Sequence, residues 1–235
     1  MEKNKIDKKR KRIMLKIGHR GARGKVAENT IQSFEEAIKE GANAIELDVR
    51  ETKDKKLVIF HNEKVDKLTD AKGYVKDFTL KELKQLKING VGEIPTLEEA
   101  LDFLKDKNIK ILIEIKEPGT EERIVKEVKK RKIENKVIII SFHEEALRKV
   151  KEISNIETGL IYVKHKNPIQ AAIELKVSYI LPLYHFTHSA DIEKAHKANL
   201  KVIVWTINTK EEALEFKRKG VDGIASDFPE ILKEL

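Results

Sequence analysis

The sequence contains no cysteine, so neither a disulfide framework nor a metal site with thiolate ligands is available to it. It also lacks any stretch that approaches the roughly 18 consecutive apolar residues of a membrane-spanning helix, and any apolar segment of the signal-peptide type. We therefore expect a protein of the cytoplasm without stable membrane insertion. Its 235 residues are nevertheless enough to bury a substantial core, in one large domain or two small ones.

Acidic residues are outnumbered by basic ones, and the imbalance is concentrated at the start of the chain. The formal net charge is +8, of which residues 1–12 carry +5 through seven lysines and arginines against Glu2 and Asp7. A short basic segment of this kind is typical of a solvated chain end. Because no interleaved aromatic residues and no nucleic-acid recognition motif accompany it, we predict a disordered tail over residues 1–12 and no nucleic-acid partner.

From residue 13 onwards, apolar and β-branched runs alternate with amphipathic stretches of helical spacing. Eight such runs occur, near residues 13–18, 43–49, 110–115, 137–141, 157–163, 178–181, 201–205 and 222–225. Strands that alternate with helices favour a parallel sheet, and eight units without a linker predict an α/β fold, the (β/α)8 TIM-type barrel. A doubly wound open sheet is the alternative. We expect residues 13–235 to form a single catalytic domain.

A turn-rich interval, residues 62–95, interrupts this alternation. It contains Asp70, Gly73 and Gly90 as turn signals, and a short helical pattern over residues 80–86. We interpret it as an insertion after the second strand that lies over the barrel mouth and shapes substrate choice. Five of its apolar residues would form either a small core of their own or a hydrophobic rim of the mouth: Val65, Leu68, Tyr74, Val75 and Phe78.

Two polar residues are predicted to begin helices. Asn29 precedes the apolar stripe of the first helix and is the predicted N-cap, while Asp227 is interpreted as the cap of a helix that starts at Phe228 and Pro229. Side chains of this kind accept hydrogen bonds from the free N–H groups of a first helical turn. We therefore assign both residues a structural role.

Ionisable side chains recur where the apolar runs end. In a (β/α)8 barrel the C-terminal ends of the strands meet at one face, and such enzymes place their active sites there. The residues concerned are His19, Glu46, Asp48, His61, Glu114 and Lys116. Their positions therefore predict an active site at that face.

The spacing of the acidic residues indicates which way they point. Residues two apart share one face of a strand, so Glu46 and Asp48 point to the face opposite Ile45 and Leu47. Carboxylates directed into a core are costly when they are unpaired, and a bound cation would offset that cost. The second strand therefore predicts a cation site inside the barrel.

These motifs, in this order and spacing, resemble those of the glycerophosphodiester phosphodiesterase family, and the resemblance runs from about Lys16 to Leu235. Members of the family are similar in having a TIM-type barrel with a small insertion after strand 2, a divalent metal, and hydrolysis of glycerophosphodiesters to glycerol phosphate and an alcohol. The matching segments are His19-Arg20-Gly21, Glu28-Asn29-Thr30, Glu46-Leu47-Asp48, Phe60-His61, residues 94–99, Glu114-Ile115-Lys116, Ser141-Phe142, residues 204–208, and residues 220–224 with Asp227 and Pro229.

The resemblance implies roles for seven residues. They are metal ligation by Glu46, Asp48 and Glu114, acid/base catalysis by His19 and His61, and phosphate binding by Arg20 and Lys116. All-oxygen ligands suit Mg²⁺ or Ca²⁺, and an imidazole titrates near neutrality, so one histidine accepts a proton while the other donates one. In the family reaction, the glycerol hydroxyl next to the phosphoester closes to a cyclic phosphate, which water then opens.

Two further residues are assigned to substrate binding. Trp205, the single tryptophan, lies at the end of the seventh predicted strand and is expected to pack against the glycerol of the substrate. Glu28 is expected to orient Arg20 or the substrate. The chain departs from the family pattern at Ala27, where many relatives have proline, at Asn62, where an aspartate usually follows the histidine, and at residues 67–69.

Two other functions are open at this point. A related phosphodiesterase that acts on lysophospholipids or phosphoinositides would use the same histidines and metal, and a hydrophobic mouth around the insertion would favour it. A noncatalytic anion-binding barrel would be favoured if a carboxylate or a histidine were missing. Since all are present, the sequence disfavours the noncatalytic barrel, while the lysophospholipid or phosphoinositide phosphodiesterase stays open as the alternative.

Overall fold

The structure is a computed structural model, and it describes residues 13–235. The predicted tail over residues 1–12 lies outside the described residues. The strands are β1 (Leu15–His19), β2 (Ala44–Glu51), β3 (Leu57–Ile59), β4 (Lys87–Ile88), β5 (Gly92–Glu93), β6 (Lys110–Ile115), β7 (Val137–Ser141), β8 (Glu157–Tyr162), β9 (Tyr179–Pro182), β10 (Lys201–Val204) and β11 (Gly223–Ser226). The helices are α1 (Ile31–Lys39), α2 (Leu80–Leu83), α3 (Leu97–Leu104), α4 (Glu121–Lys130), α5 (Glu144–Ile153), α6 (Pro168–Glu174), α7 (Ser189–Lys197) and α8 (Lys210–Lys219).

Eight parallel strands close into a barrel. Their order is β1, β11, β10, β9, β8, β7, β6 and β2, and the pairing of β1 with β2 completes the circle. Helices α1 and α3 to α8 follow successive barrel strands, and a 3₁₀ turn over Pro229–Leu232 follows β11. The (β/α)8 barrel is therefore confirmed, and the closing pair excludes an open doubly wound sheet.

Side chains alternate between two cores, as the period of two predicts. Ile45, Leu47 and Val49 of β2 point outwards into the apolar core between the sheet and the helices. A separate cluster fills the barrel interior and includes Ala44 of the same strand and Leu112 of β6. Glu46 and Asp48 share the inward direction of Ala44, so the predicted orientation of the two carboxylates is confirmed.

Helix α1 begins one residue later than predicted. The side chain of Thr30 accepts a hydrogen bond from the backbone N–H of Ser33 at 3.1 Å, so Thr30 is the N-cap. Asn29 has a φ of 57° and turns its side chain away from the helix, where its Nδ2 donates to Asp48 Oδ2 at 2.8 Å. The prediction for Asn29 was wrong because a buried carboxylate in β2 competes for its amide.

The interval 62–95 forms a compact unit beside the barrel. Strand β3, which ends just before the interval, pairs antiparallel with β2, and within the interval β4 and β5 form a small hairpin. Helix α2 occupies four residues, which is shorter than the predicted 80–86. Gly92 lies against the β1–α1 loop, since a Cβ there would be 2.8 Å from Thr30 Cγ2 and 2.9 Å from Ala27 Cβ. The unit therefore sits at the C-terminal end of β1.

The apolar residues of this unit pack mostly against one another. A buried cluster contains Val65 and Val75, with Leu68 and Phe78 packed against it, while Tyr74 is exposed. These side chains form a small core of their own, the first of the two possibilities that the sequence left open. Among the helices of residues 13–235, none has the length and apolar character that crossing a lipid bilayer requires.

Candidate active site

Three carboxylates meet inside the barrel at the C-terminal ends of two neighbouring strands. Asp48 of β2 lies in register with Glu114 of β6, and Glu46 is two residues before Asp48 on the same face. One ligand oxygen from each residue lies within 4.8 Å of the others, and all three side chains are buried. Among the described residues, Glu46 Oε1 and Asp48 Oδ1 have no hydrogen-bond partner. The cluster therefore offers buried oxygen atoms with unused acceptor capacity.

The pKa values of the three carboxylates are shifted in different directions. Burial, together with the charges of Asp48 and Glu114, raises the pKa of Glu46 well above its ordinary value. Burial, and then Asp48, raises the pKa of Glu114 to about 7. Burial also opposes the charged form of Asp48, but Lys116 and Arg20 outweigh it and lower the pKa of Asp48. Asp48 is thus the carboxylate that the surrounding cations keep ionised.

Two cations lie against this cluster. Lys116 Nζ is 2.7 Å from Glu114 Oε1 and 3.4 Å from Asp48 Oδ1. Arg20 Nε is 3.3 Å from Asp48 Oδ2, and Arg20 Nη1 donates to Glu28 Oε1 at 2.9 Å. The backbone N–H of Arg20 also donates to Glu46 Oε2 at 2.9 Å. The structure therefore brings Arg20 and Glu28 into the contact expected from the sequence.

His19 is bound to a carboxylate from the opposite end of the chain. His19 Nδ1 is 2.7 Å from Asp227 Oδ1, and His19 Nε2 is 4.0 Å from Glu46 Oε2. Because a carboxylate only accepts hydrogen bonds, Nδ1 carries the proton in the neutral ring and Nε2 has the free lone pair. Burial lowers the pKa of His19 in spite of the bond to Asp227.

Asp227 was predicted to cap a helix, and that prediction was wrong. The 3₁₀ turn that begins at Pro229 has no side-chain cap, whereas Asn208 Nδ2 donates to Asp227 Oδ2 at 2.9 Å. The sequence does contain a signal for the position that Asp227 occupies in the structure. Asp227 is two residues after Ala225, whose side chain points into the barrel, so the period of two directs Asp227 to the same side.

His61 approaches the cluster from the segment that follows β3. Its Nδ1 lies 3.1 Å from Asn62 Oδ1, and Arg50 Nε donates to its backbone carbonyl at 2.9 Å. Burial lowers the pKa of His61 to about 4, with Arg20 and Lys116 adding to the effect and Asp48 opposing it. His61 is therefore a neutral imidazole near pH 7 in the free protein.

The charged groups form one side of a cavity of about 300 Å³ at the barrel mouth. The other side is apolar and comes from β6 to β11 and the residues just after them: Leu112, Ile140, Phe142, Ile161, Leu181, Ile203, Trp205 and Ala225. Trp205 Nε1 donates to the carbonyl of Leu181 at 2.7 Å, and its ring meets that of Phe142 edge to face with centroids 5.8 Å apart. Trp205 was predicted in the site from the sequence, whereas the other residues of this apolar wall were not.

A wider cleft of about 760 Å³ lies at the N-terminal end of β8, near Asn135 and Glu157. It holds no counterpart to Glu46, Glu114 and the two histidines, which line the smaller cavity at the mouth. A barrel whose C-terminal face gathers carboxylates, cations and two histidines around one cavity has the build of a TIM-barrel enzyme for an anionic substrate.

Comparison with known proteins identifies the family. The sequence model of the glycerophosphoryl diester phosphodiesterase family matches residues 19–231. The chain is similar to a glycerophosphodiester phosphodiesterase of Caldanaerobacter subterraneus subsp. tengcongensis, with 39% identity over 94% of this chain and 97% of the relative. The chain belongs to the glycerophosphoryl diester phosphodiesterase family, which confirms the resemblance and the enzyme class predicted from the motifs.

Solved structures give the same result for the fold. A putative glycerophosphodiester phosphodiesterase from Galdieria sulphuraria superimposes with a TM-score of 0.86 and 27% identity, over 95% of this chain and 98% of that chain. An Oleispira antarctica phosphodiesterase, solved in complex with the product sn-glycerol-3-phosphate, gives a TM-score of 0.85 and 26% identity, over 93% and 94%. The barrel of this chain is therefore the fold of known members.

Proposed function

We propose that this protein hydrolyses small glycerophosphodiesters to glycerol phosphate and an alcohol, in a metal-dependent reaction with His19 and His61 as the acid/base pair. The observation that carries the proposal is the cavity at the barrel mouth, which both histidines line together with two buried carboxylates and two cations. Asp48 lies beside it, with one oxygen within 4.8 Å of the ligand oxygens of Glu46 and Glu114. The glycerol phosphate product bound to the Oleispira antarctica phosphodiesterase supports the same substrate class.

The carboxylate cluster fits one divalent cation. Glu28 and Asp227 lie next to the cluster and share Arg23, so five carboxylates face three cations. Full ionisation therefore leaves an excess of two negative charges, 5 − 3. Glu46 Oε1 and Asp48 Oδ1, which lack hydrogen-bond partners among the described residues, are suitable ligand atoms. Glu46, Asp48 and Glu114 would hold Mg²⁺ or Ca²⁺, because both ions prefer oxygen ligands. When bound, such an ion polarises a phosphoryl oxygen.

The side chains around the cluster have distinct tasks in this reaction. Arg20 and Lys116 bind the non-bridging oxygens of the phosphodiester, and Glu28 orients the guanidinium of Arg20. Asp227 fixes the proton of His19 on Nδ1, which leaves Nε2 as the base. A phosphodiester anion close to His61 favours its imidazolium form and counters the lowering of its pKa by burial.

The reaction then proceeds in two balanced steps. His19 Nε2 accepts the proton of the glycerol 2-hydroxyl, whose oxygen attacks phosphorus. The bond from phosphorus to the leaving alcohol breaks, and His61 gives that oxygen its proton. In the second step His61 accepts a proton from water, the water oxygen attacks phosphorus, and His19 returns its proton to the 2-oxygen as the cyclic phosphate opens.

Hydrolysis of lysophospholipids is a second candidate, and the apolar wall of the cavity favours it. The wall ends at Phe142, which is 42% exposed, so an apolar surface continues from the cavity to solvent. Trp205 Nε1 is already bonded to Leu181, and the wall therefore offers contact area rather than hydrogen bonds. An acyl chain on the glycerol would cover such a surface.

The experiment that tests the function uses purified protein with glycerophosphocholine, glycerophosphoethanolamine and lysophosphatidylcholine, each with Mg²⁺ or Ca²⁺. Release of glycerol phosphate from the first two is the expected result. Turnover of lysophosphatidylcholine alone would replace the proposal by the second candidate, and turnover of none of the three would overturn both.

A substrate analogue tests the route through the cyclic phosphate. The 2-deoxy analogue of glycerophosphocholine lacks the attacking hydroxyl but keeps the phosphodiester that Arg20 and Lys116 bind. It is expected to bind as a competitive inhibitor without turning over. Hydrolysis at a rate near that of the natural substrate would show that water attacks directly.

The remaining expectations from the sequence stand as proposals of the same kind. We propose that residues 13–235 act as one catalytic domain, that the insertion tunes substrate choice, and that the enzyme works in the cytoplasm without a nucleic-acid partner. Gel filtration and activity of a chain that starts at residue 13 would test the first of these.

A further inference from the structure

Arg50 is a buried arginine that the reaction described above does not use. It lies in β2, two residues after Asp48, and is 5% exposed. Its Nε donates to the backbone carbonyl of His61 at 2.9 Å, and its Nη1 pairs with the carboxylate of Glu117. One guanidinium therefore connects the segment of His61 with the residue that follows Lys116.

The hydrogen bond from Arg50 matters because His61 lies just beyond regular structure. Strand β3 ends at Ile59, and the backbone N–H of Phe60 still donates to the carbonyl of Asp48 at 3.0 Å. The next main-chain contact is at Glu63, whose carbonyl accepts from Val75 at 2.8 Å. Among residues 13–235, the one recorded hydrogen bond to the main chain of His61 and Asn62 comes from Arg50.

The guanidinium is well suited to hold a backbone in place. Its donors lie in one plane with fixed directions, so bonds from Nε and Nη1 set the position of His61 relative to Glu117. A buried ion pair of this kind is weak evidence for stability, since desolvation offsets much of the attraction. A buried arginine that spans two segments of the site is better explained by the geometry that it imposes.

We propose that Arg50, oriented by Glu117, is a positioning residue for His61: it fixes the main chain of His61 so that the imidazole faces the phosphate-binding side chains. This inference rests on the proposed function. A displacement of about 1 Å at a catalytic group costs on the order of 10²-fold in rate, so the loss of one hydrogen bond here has a measurable effect on turnover.

The chain offers a control arginine that contacts the same strand from helix α4. Arg123 pairs with Glu51, the residue after Arg50, and donates to the carbonyl of Lys55 at 2.7 Å. It therefore also bridges the end of β2 to another segment through an ion pair, but none of its recorded contacts reaches His61. The side chain of Arg123 is 35% exposed, whereas that of Arg50 is 6% exposed, so the control is matched in its ion pair with β2 and not in burial. Arg123→Met removes an arginine from the end of β2 and leaves the contacts of His61 in place.

The kinetic test is a double-mutant cycle with glycerophosphocholine as substrate. Arg50→Met is expected to lower kcat by about 10²-fold with KM changed less than about threefold, because substrate binding by Arg20 and Lys116 is retained. In the His61→Ala background the same substitution is expected to cost less than about threefold. A purely structural role predicts equal losses in both backgrounds, which would overturn the proposal.

Two milder variants keep the test meaningful if Arg50→Met folds poorly. Arg50→Lys retains the charge but not the planar donor pair, so kcat is expected to remain well below that of the wild type. Glu117→Gln removes the charge from a side chain that is 36% exposed and leaves an acceptor in place, so a smaller loss in the same cycle is expected. Wild-type kinetics for both variants, or a loss in Arg123→Met as large as in Arg50→Met, would contradict the proposal.

Histidine-ring ¹H–¹⁵N spectra provide a readout that does not depend on turnover. The His61 signals, assigned by their absence in His61→Ala, are expected to shift or broaden in Arg50→Met and Glu117→Gln, while those of His19 stay in place. If the wild type hydrolysed no glycerophosphodiester, the proposed function would fail, but these spectra would still decide whether Arg50 positions His61. Unchanged His61 signals in Arg50→Met would overturn the inference.

Discussion

The two sides of the barrel mouth follow the same alternation of side chains but differ in chemistry. On β1, β2 and β6 the inward residues at the C-terminal end include His19, Asp48 and Glu114, and every one of these has a charged or polar partner. On β7 to β10 the inward residues at the same level include Ile140 and Ile161, which need no partners. The barrel interior therefore accommodates charge on one side because each charged group there has a partner, while the other side is an ordinary apolar core.

The two histidines repeat this contrast on a smaller scale. His19 is bonded to Asp227, a charged residue contributed by the other end of the chain. His61 faces the neutral Asn62 next to it, and its main chain is held by Arg50. The ring of the first histidine therefore has a charged partner, whereas the ring of the second has a neutral partner and its main chain has a charged one.

Removal of the metal should have the largest effect on turnover, because the proposed reaction requires the cation that the three carboxylates would hold. Exhaustive chelation is expected to stop turnover, and Mg²⁺ or Ca²⁺ is expected to restore it. Glu46→Gln should imitate chelation while keeping the fold. In calorimetry, saturating metal should raise the melting temperature of the wild type but not of Glu46→Gln, since binding at 100 times Kd contributes about 2.7 kcal/mol. Full activity after chelation would reject the metal assignment.

Substitution of either histidine should have the second-largest effect on turnover. His19→Ala and His61→Ala are each expected to lower kcat by about 10² to 10⁴-fold with little change in KM, because general acid/base catalysis contributes that much. The double variant should lose less than the product of the two single losses, as the side chains act in one relay. Steady-state kinetics of the three variants measures these losses. A loss in the double variant equal to the product of the two single losses would show that the histidines act independently.

The partners of the histidines should differ in importance. Asp227→Asn replaces the carboxylate acceptor and permits the wrong tautomer of His19, so kcat is expected to fall by about 10²-fold or more. Asn62→Ala removes a neutral partner of His61 and is expected to cost less than about tenfold. The ratio of the two kcat values is the measurement. Equal losses would show that the ring contacts of both histidines matter alike.

Changes on the apolar side should be smaller and should appear in KM. Trp205→Ala is expected to raise KM for glycerophosphocholine by about tenfold, which corresponds to about 1.4 kcal/mol of contact with the substrate. Trp205→Phe keeps most of the ring area and serves as the control. Phe142→Ala should raise KM for lysophosphatidylcholine more than for glycerophosphocholine if the second candidate substrate is used. A loss confined to kcat would place Trp205 among the reacting groups instead.

The pH dependence of stability should show the smallest effect. The pKa of Glu114 is raised to about 7, above its ordinary 4.5, so the stability it contributes is complete below about pH 4.5 and is lost as the pH rises through 7. The metal-free wild type should therefore lose free energy of unfolding relative to Glu114→Gln between pH 5 and 8, by about 1.4 kcal/mol or more. Denaturant titration of both proteins measures the difference.

The pKa of His61 is shifted in the opposite direction, but this shift does not affect the difference between the wild type and Glu114→Gln. Its pKa is lowered to about 4, so its contribution is present above about pH 6.5 and is lost as the pH falls towards 4. Since both proteins contain His61, its effect cancels in the difference to first order. A difference that is constant from pH 5 to 8 would contradict the raised pKa of Glu114.

Much of the charged side was predictable because it depends on local order along the chain. The alternation in β2 is enough to direct Glu46 and Asp48 to one face and Ile45 and Leu47 to the other. Charged residues inside an apolar run conflict with burial, which makes such a pattern visible without any structure. The apolar side carries no such conflict. Ile140 and Ile161 line the site, yet in the sequence they look like any other core residues.

Periodicities of a few residues are enough to predict the eight barrel strands, the inward direction of the carboxylates and the position of His19. His61 reaches the site for another reason, because β3 runs antiparallel to β2 and returns the chain towards Asp48. Which distant groups meet depends instead on the arrangement of the strands in space. Asp227 contacts His19 across 208 positions because the pairing of β1 with β11 closes the barrel, and Arg50 reaches Glu117 across 67 because β6 pairs with β2. Such contacts depend on strand order around the closed sheet, which no local period encodes.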